Sequence, residues 1–359
     1  LQKWKNLYKA ATHLNNIKKS LEKLELESIS DLAKAFENHQ IVILEAAEEL
    51  KKADTELSKT DPEKFPENLR GKVKMVIDEF RKYSDLIKKT EENIKAIEKL
   101  LGLRYPHRYL VLFQNNNESR PTGGFIGSVL LLDINDGKLT KSETIDVYTL
   151  DGQFHEYIEP PYEIKELTNE WRLRDSNYWP DFSVSGEKAA WFFQKEGGPS
   201  VDSVIAINQS ILKKFLELTG PIQPPGLKAP MTSENYDTVL SYVIESKLSG
   251  AKDPKEVLKN LVPLVQQELL KKENFIELIK IIKDEITRKN ILGYSGDPDV
   301  EKFFDNTKVS GKMLKPLENE DYLSVVTTSI SGNKSDKFIE QKLLHDTWIS
   351  KNGEIINQL

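Results

Sequence analysis

The chain has 359 residues, with 51 Lys and Arg against 57 Asp and Glu, and no cysteine. The absence of cysteine excludes thiol catalysis, disulfide frameworks and cysteine-ligated zinc sites. A formal net charge of −6 argues against a general nucleic-acid binder, because such domains tend to be basic. The longest apolar runs, 109–113 and 129–132, are far shorter than the ~20 residues of a membrane-spanning helix.

The N-terminal part of the chain predicts a helical bundle. Apolar side chains recur at helical spacing in the stretches 4–24, 32–57 and 69–101, and Ser30 with Asp31 can cap the second stretch. Gly102 follows at a position typical of a helix end. Charges of both signs occupy the polar faces, which favours solvated faces over a basic membrane-binding face. We therefore expect an antiparallel helical bundle or stalk over residues 1–102.

A mixed α/β domain is predicted over residues 103–359, because apolar alternation and turn residues replace the helical period. The expected strands are 109–113, 125–134, 141–148, 201–207, 322–330 and 338–349, the last two paired around 331–333. The expected helices are 185–194, one that begins after Asn208, 233–247, 254–272 and 274–290. The predicted fold class is α+β, a mixed sheet flanked by helices. Because the chain begins at Leu1 and Asn352-Gly353 signals a hairpin close to its end, we expect a piece of a longer protein, truncated at its C-terminal end.

Residues 114–125 form a polar segment between two apolar strands, where ligand-binding loops are common. Successive glycines allow backbone N–H groups to point at an anion, and Arg120 can pair with the same phosphate or carboxylate. The candidate ligand-binding residues here are Asn116, Thr122, Gly123 and Gly124. The alternative is a polar hairpin loop whose glycines only relieve backbone strain. No Gly-Lys-Ser/Thr follows, so the segment is not a nucleotide-binding P-loop.

A second candidate segment, 171–182, combines arginines, aspartates and tryptophans. Arg174 suits a bidentate grip on phosphate, and the tryptophans can stack on a sugar or seal a core. Asp175 is a candidate catalytic carboxylate, and Asp181 is a further candidate base. The alternative is an internal Arg–Asp ion pair that pins the loop.

Two further acidic residues and one lysine complete the candidates. Asp146 and Asp151 lie near the end of a predicted strand, where carboxylates can hold Mg²⁺ beside a phosphate or act as a general base. The alternative is that they only cap turns. Lys334, in the polar stretch 333–337, can reach an anion, or it can belong to a solvated turn. The histidines lack metal-ligand spacing, and no Gly-x-Ser-x-Gly motif marks a serine hydrolase.

Several of these segments together resemble a known family. The run from Tyr109 to Glu118, with the run from Arg120 to Ser128, resembles the hallmark of a bacterial family known as domain of unknown function 4012. Later segments resemble that family in the expected order, namely 173–176 with 180–182, 201–208, 218–222 and 333–336. The resemblance implies an N-terminal membrane anchor, a helical region like 1–101, and an α/β domain outside the cytoplasm.

That family is in turn distantly similar to the LytR-CpsA-Psr phosphotransferases, which move glycopolymers from a polyprenyl pyrophosphate carrier onto peptidoglycan. The similarity lies in residues 202–222 and in the arginine loop before them. Arg120 matches the first arginine of those enzymes, and Thr122 stands roughly where their metal-binding aspartate would be. The resemblance implies binding of a polyprenyl-pyrophosphate-linked glycopolymer, with transfer as the enzymatic form of the hypothesis. It implies Mg²⁺ as cofactor, peptidoglycan or the lipid-linked glycan as partner, and no nucleic acid.

In that scheme, Arg120, Arg174 and the amides of Gly123 and Gly124 neutralise the pyrophosphate, while Asp146 or Asp175 holds Mg²⁺. Replacing Arg120 with alanine would then remove ligand binding without lowering thermal stability. The alternative is a non-catalytic envelope scaffold or protein-interaction module, in which the same guanidinium and carboxylate groups pair with one another.

Overall fold

The computed structural model describes residues 8, 12, 32–166, 168–245, 256–318, 320–329 and 334–359. Three sequence predictions lie outside these residues. They are the helix over 4–24, the cap at Ser30 and Asp31, and the turn at 331–333. Within the first of these stretches, only Tyr8 and Thr12 are described, and both are helical.

Two long helices precede the sheet, as the helical periodicity predicts. These are α1 (Leu32–Leu57) and α2 (Glu67–Leu100), joined through a short 3-10 turn at Pro62–Lys64. Their apolar faces form one core, which contains Ala47, Leu50, Ala53, Leu57, Phe65, Val73, Ile77 and Phe80. The prediction of a helical N-terminal region is therefore confirmed.

A five-stranded mixed sheet forms the centre of the second part of the chain, with the strand order β3-β2-β1-β4-β5. The strands are β1 (His107–Arg120), β2 (Gly123–Asn135), β3 (Lys138–Asp146), β4 (Ser203–Asn208) and β5 (Ile291–Ser295). β1 pairs with β4 in parallel, and the other neighbours pair antiparallel. The helices are α3 (Val147–Asp151), α4 (Phe182–Lys195), α5 (Ile211–Thr219), α6 (Tyr236–Glu245), α7 (Glu256–Leu269), α8 (Phe275–Thr287) and α9 (Pro298–Asn306). The predicted fold class, an α+β chain with a mixed sheet flanked by helices, is confirmed.

The two faces of the sheet face different helices, because side chains alternate along a strand. Leu110 and Leu112 of β1 lie in a core with Phe192 of α4. Val111 and Phe113 lie on the opposite face, toward α5, α6 and α7. The apolar residues of that second layer are Leu216, Ile222, Met231, Leu240, Leu261, Val265, Leu269 and Leu278.

The end of α2 packs against helix α9. Ala96 shares an apolar cluster with Val300 and Phe304. The Lys99 Nζ atom lies 2.7 Å from carboxylate oxygens of both Asp297 and Asp299. The helical region is therefore tied to the α/β region, and the division of the chain at residue 102 stays a prediction.

The segment 114–125 is not the loop that its polar composition predicts. β1 and β2 continue through it as a hairpin, with only Pro121 and Thr122 between the strands. Polar residues can remain in a strand because their side chains bond to the protein: Gln114 Nε2 donates to Thr122 Oγ1 at 2.8 Å. The sheet therefore positions the paired residues of this segment, whereas residues 116–118 lie in a register shift and have no partner on β2.

The prediction for the C-terminal part was wrong in its pairing. Residues 320–329 form no regular element, and β6 (Asp346–Ile349) pairs with β7 (Ile355–Gln358) around Asn352 and Gly353. In the turn between these strands Gly353 adopts φ +86°, which glycine accepts without strain. β5 and α9 were not predicted. Among the described helices, none has the length and apolar character needed to cross a membrane.

Candidate functional site

Two predicted arginines and their predicted acidic partner converge in the interior. The Arg120 guanidinium lies 2.9 Å from Glu118 Oε1 and 3.6 Å from Asp175 Oδ1. Arg174 contacts Asp175 at 3.3 Å and Asp151 Oδ2 at 2.7 Å. The side chains of Arg120, Glu118 and Asp175 are at most 8 % exposed. We call Glu118, Arg120, Asp151, Arg174, Asp175 and Glu196 the buried charge cluster.

The elements that bring these groups together are distant in sequence. Arg120 ends β1, Asp151 ends α3, and Arg174 with Asp175 forms a 3-10 turn at Leu173–Asp175. Aromatic rings flank both guanidinium groups, that of Phe125 at 5.4 Å from Arg120 and that of Tyr148 at 5.7 Å from Arg174. Such cation–π contacts add to the ion pairs in holding both arginines in place.

Glu196, directly after α4, extends the buried charge cluster. The Leu173 N–H donates to its Oε1 at 2.9 Å, and its other oxygen faces the Asp151 carboxyl. Burial, and next the charge of Asp151, raise the pKa of Glu196 to about 8, so Glu196 is protonated at neutral pH. The proton of Glu196 allows a hydrogen bond between Glu196 Oε2 and Asp151 Oδ1, two buried oxygens that have no other donor.

Both arginines of the buried charge cluster are paired with carboxyl groups of the protein. With Glu196 neutral, the carboxyl groups of Glu118, Asp151 and Asp175 face the guanidinium groups of Arg120 and Arg174. Burial raises the pKa of Asp151 and of Asp175, and the neighbouring arginines oppose that rise. The arginines are therefore compensated without a bound anion, which is the arrangement expected of an internal ion pair.

The two glycines of the hairpin lie where the chain packs most closely. A Cβ atom on Gly123 would lie 2.1 Å from Asn208 Oδ1, and one on Gly124 would lie 2.2 Å from the Asn115 carbonyl. Gly123 also adopts φ +139°, a conformation that L side chains rarely take. The contacts explain both glycines as packing residues of the β1–β2 hairpin.

The other predicted ligand-binding residues of this hairpin also bond to the protein. Thr122 Oγ1 accepts hydrogen bonds from Gln114 at 2.8 Å and from Asn177 at 3.0 Å. Asn116 Oδ1 accepts from the N–H of Ser210, just before α5, at 3.2 Å. These bonds fasten the end of the hairpin to the 3-10 turn region and to α5.

Asp146 and Asp181 both cap helices. Asp146 accepts a hydrogen bond from the Tyr148 N–H at 2.7 Å, and Asp181 accepts from the Ser183 N–H at 3.1 Å. Such caps commonly stabilise helix starts. In the described part of the chain, no group of three or more His, Asp or Glu is placed to hold a metal ion. The assignment of Mg²⁺ to Asp146 and Asp175 stays a prediction.

The sequence reasoning missed a cavity of about 550 Å³ between the sheet and the helices α5, α6 and α7. Aliphatic and aromatic side chains of β1 and β2 form one wall, and those of the helices form the other. The apolar lining residues are Val111, Phe113, Phe125, Leu130, Leu132, Ile207, Ile211, Leu212, Phe215, Leu240, Leu261, Val262, Val265 and Leu269. The sequence feature that could have indicated the cavity is that β1 and β2 are apolar on both faces. A filled core would produce the same pattern.

The cavity is polar at one end. The strand register places Val111 opposite Leu130, and Asn115 opposite Phe125. Most lining residues with polar or charged side chains follow toward the second of these ends: Gln114, Asn115, Glu118, Asp146, Asn208, Gln209 and Lys334. Two polar lining residues lie toward the first end, Thr144, which pairs with Leu130, and Gln266, which accepts a hydrogen bond from Ser142. Phe125 and Leu132, the first and last lining residues of β2, are seven residues apart. At ~3.4 Å per residue, this stretch of the strand wall is about 24 Å long. The lining is therefore mainly apolar, and most of its polar groups lie at the Asn115 end, which we call the mouth.

Lys334 reaches this mouth because the C-terminal chain is fastened over the hairpin. Ser329 N–H donates to the Ser119 carbonyl at 2.9 Å, and Ser119 N–H donates to Asp336 Oδ2 at 2.7 Å. Lys337 forms an ion pair with Asp237 of α6 at 2.7 Å. Among the described residues that line the cavity, Lys334 is the only cation.

One family model matches part of the chain. Residues 105–243 match the family model described as "Protein of unknown function (DUF4012)". The predicted resemblance to that family is confirmed over these residues, and the likeness to the LytR-CpsA-Psr phosphotransferases stays a prediction. No curated protein matches the sequence.

Among solved structures, the Lin1025 protein from Listeria innocua is similar to this chain at 12% sequence identity and a TM-score of 0.33. The match covers 70% of this chain and 90% of that protein.

Proposed function

We propose that the α/β region, whose residues 105–243 are of the DUF4012 family, binds the hydrocarbon chain of an amphiphilic molecule. The observation that carries the proposal is the cavity of about 550 Å³ between the sheet and α5, α6 and α7. Cavities of ~300–1,000 Å³ with apolar walls and a few polar groups are typical ligand sites. An elongated channel with one polar mouth suits a chain that ends in a polar headgroup.

The ligand class in this proposal is a lipid-linked phosphate or phosphoglycan, with its headgroup at the mouth. Lys334 can pair with an anionic headgroup there. Of the two carboxyl groups that line the same end, Glu118 faces Arg120 and Asp146 caps α3. The proposal also includes a location outside the cytoplasm, a membrane tether and Mg²⁺. These three parts are supported only by the family resemblance.

We propose binding in preference to phosphoryl transfer. Transfer needs preorganised positive charge at the reacting phosphate. Arg120 and Arg174 are instead bonded to Glu118, Asp151 and Asp175 within the protein. A bound pyrophosphate would have to displace these carboxylates from their buried partners, which is costly.

The proposal is tested by locating a bound chain. The protein is incubated with a hexadecyl phosphate that carries a diazirine at the end of its chain, irradiated, and digested for mass spectrometry. We expect labels on the cavity end opposite the mouth, at 130–132 of β2 and 261–269 of α7. Unlabelled hexadecyl phosphate should compete with this labelling. Labels confined to other surfaces, or labelling without saturation, would contradict the proposal.

A second candidate function, a protein-interaction module, is favoured by the C-terminal hairpin of β6 and β7. All residues of both strands are exposed, among them Trp348 at 52% and Ile349 at 71%. An isolated two-stranded hairpin is at best marginally stable in water. Specific labelling of 346–358 by the same probe would favour this second candidate over chain binding in the cavity.

A further inference from the structure

The segment 338–344, which leads into β6, carries large apolar side chains that the fold leaves exposed. Their exposed fractions lie between 56% and 79%, and the residues are Phe338, Ile339, Leu343 and Leu344. The sequence predicts a strand over 338–349, yet β6 begins only at Asp346. The segment therefore has the composition of a strand but pairs with no strand of its own chain.

The backbone of this segment is available for pairing. No backbone N–H or C=O group of 340–344 takes part in a hydrogen bond with another described residue. The Gln341 side chain donates a hydrogen bond to Thr327 Oγ1 at 3.2 Å, and Asp336 Oδ2 accepts one from the Ser119 N–H at 2.7 Å. The segment is thus held in place at its start and centre, while its backbone groups remain a template for another strand.

A second copy of the same segment can complete this pairing. Two identical antiparallel strands are related by a twofold axis perpendicular to the sheet, which keeps each side chain on its own face. Because opposed residues share a face, one residue must lie opposite its own copy. With Gln341 at the axis, Glu340 lies opposite Lys342 and Ile339 lies opposite Leu343, each pair occurring twice. Such charged and apolar cross-strand pairs stabilise a sheet.

The neighbouring registers lack this complementarity. With Glu340 or Lys342 at the axis, two like charges lie directly opposite each other, which is destabilising. With Ile339 or Leu343 at the axis, a charged side chain lies opposite a large apolar one. Of these five registers, the one about Gln341 alone places charge against opposite charge and apolar side chains against each other.

We propose that residues 338–344 are a self-association surface, through which two copies of this chain pair as antiparallel strands about Gln341. Glu340 and Lys342 select a second copy over an unrelated strand, because an unrelated strand must carry the reverse charges at the same spacing. The inference goes beyond chain binding in the cavity and does not depend on it. Seven residues on each side form a small interface, so we expect a dimer that dissociates on dilution.

Charge reversal tests the register, with sedimentation velocity of the full chain at increasing concentration and no ligand present. Wild-type protein should shift from monomer to dimer. Glu340→Lys places a lysine opposite Lys342 at two positions and should weaken the dimer about tenfold or more. The double variant Glu340→Lys with Lys342→Glu restores opposite charges and should restore the dimer. Glu354→Lys, an equal charge change at an exposed residue outside the segment, should match wild-type protein.

A single cysteine locates the axis, because the chain contains no other cysteine. Opposed residues of antiparallel strands have Cα atoms about 4.5–5.5 Å apart, a distance that a disulfide can span. Mild oxidation should therefore link two copies of Gln341→Cys, whereas Lys72→Cys, on the exposed surface of α2, should remain largely monomeric.

Two results would overturn the inference. One is a wild-type protein that stays monomeric at every concentration. The other is a dimer that both Glu340→Lys and the double variant leave unchanged, since its contacts would then lie elsewhere. Because no alkyl phosphate is present in these experiments, a failure here leaves the proposed binding in the cavity to its own test.

Discussion

Replacing Arg120 with alanine is expected to lower the free energy of unfolding by about 3–5 kcal/mol at pH 7. The change leaves the buried Glu118 without its guanidinium partner at 2.9 Å and removes one of the two cations that face Asp175. It also removes the hydrogen bond that Arg120 donates to the Ser329 carbonyl, which holds the C-terminal chain on the hairpin. Urea denaturation followed by circular dichroism measures the loss.

The control for this prediction is Arg104→Ala. The Arg104 side chain is 74% exposed and lies 3.3 Å from Glu98, so its removal should cost no more than about 1 kcal/mol. If Arg120→Ala kept wild-type stability and lost only the binding of alkyl phosphates, Arg120 would belong to the ligand site, as the sequence alone predicts. A large loss of stability would assign Arg120 a structural role.

Replacing Gly124 with alanine is expected to cost about 3 kcal/mol or more, beyond what ordinary overpacking costs. The new Cβ atom would lie 2.2 Å from the Asn115 carbonyl carbon and oxygen and 2.4 Å from the Asn116 nitrogen. These are backbone atoms of the paired strand, so relief requires β1 and β2 to separate. Thermal and urea unfolding of the purified variant measure the effect.

The matched control is Gly127→Ala, three residues along the same strand. Its Cβ atom would meet nothing within 4 Å, so its stability should equal or exceed that of wild-type protein. Equal stability of the two variants would contradict the close packing of β1 against Gly124 of β2.

Local patterns predicted most of the elements, because helical periodicity and turn residues act over short stretches. The helices at 32–57 and 69–101 and the first three strands follow from the spacing of their apolar residues and, for the second helix, from Gly102 at its end. β5 was missed because Ile291–Ser295 is five residues long and follows a helix directly. Its pairing with β4 is a long-range contact that no local pattern encodes.

The site was predicted only in part. Arg120, Arg174 and Asp175 converge, and each was a candidate site residue from its local segment, yet their pairing with Glu118 and Asp151 depends on contacts between distant elements. The cavity could not be predicted, since its walls come from strands and helices that lie between residues 111 and 269 of a chain of 359 residues. An apolar residue that faces a void and one that faces a packed neighbour look the same in sequence.

The most direct test of chain binding in the cavity is to fill the cavity. Gly127→Leu places a branched side chain in the open space beside Phe125, while Gly71→Leu places the same side chain on the exposed surface of α2. Isothermal titration with hexadecyl phosphate should give binding to wild-type protein and to Gly71→Leu, and a loss of about a hundredfold or more in Gly127→Leu. Equal affinity in all three folded proteins would contradict binding in the cavity.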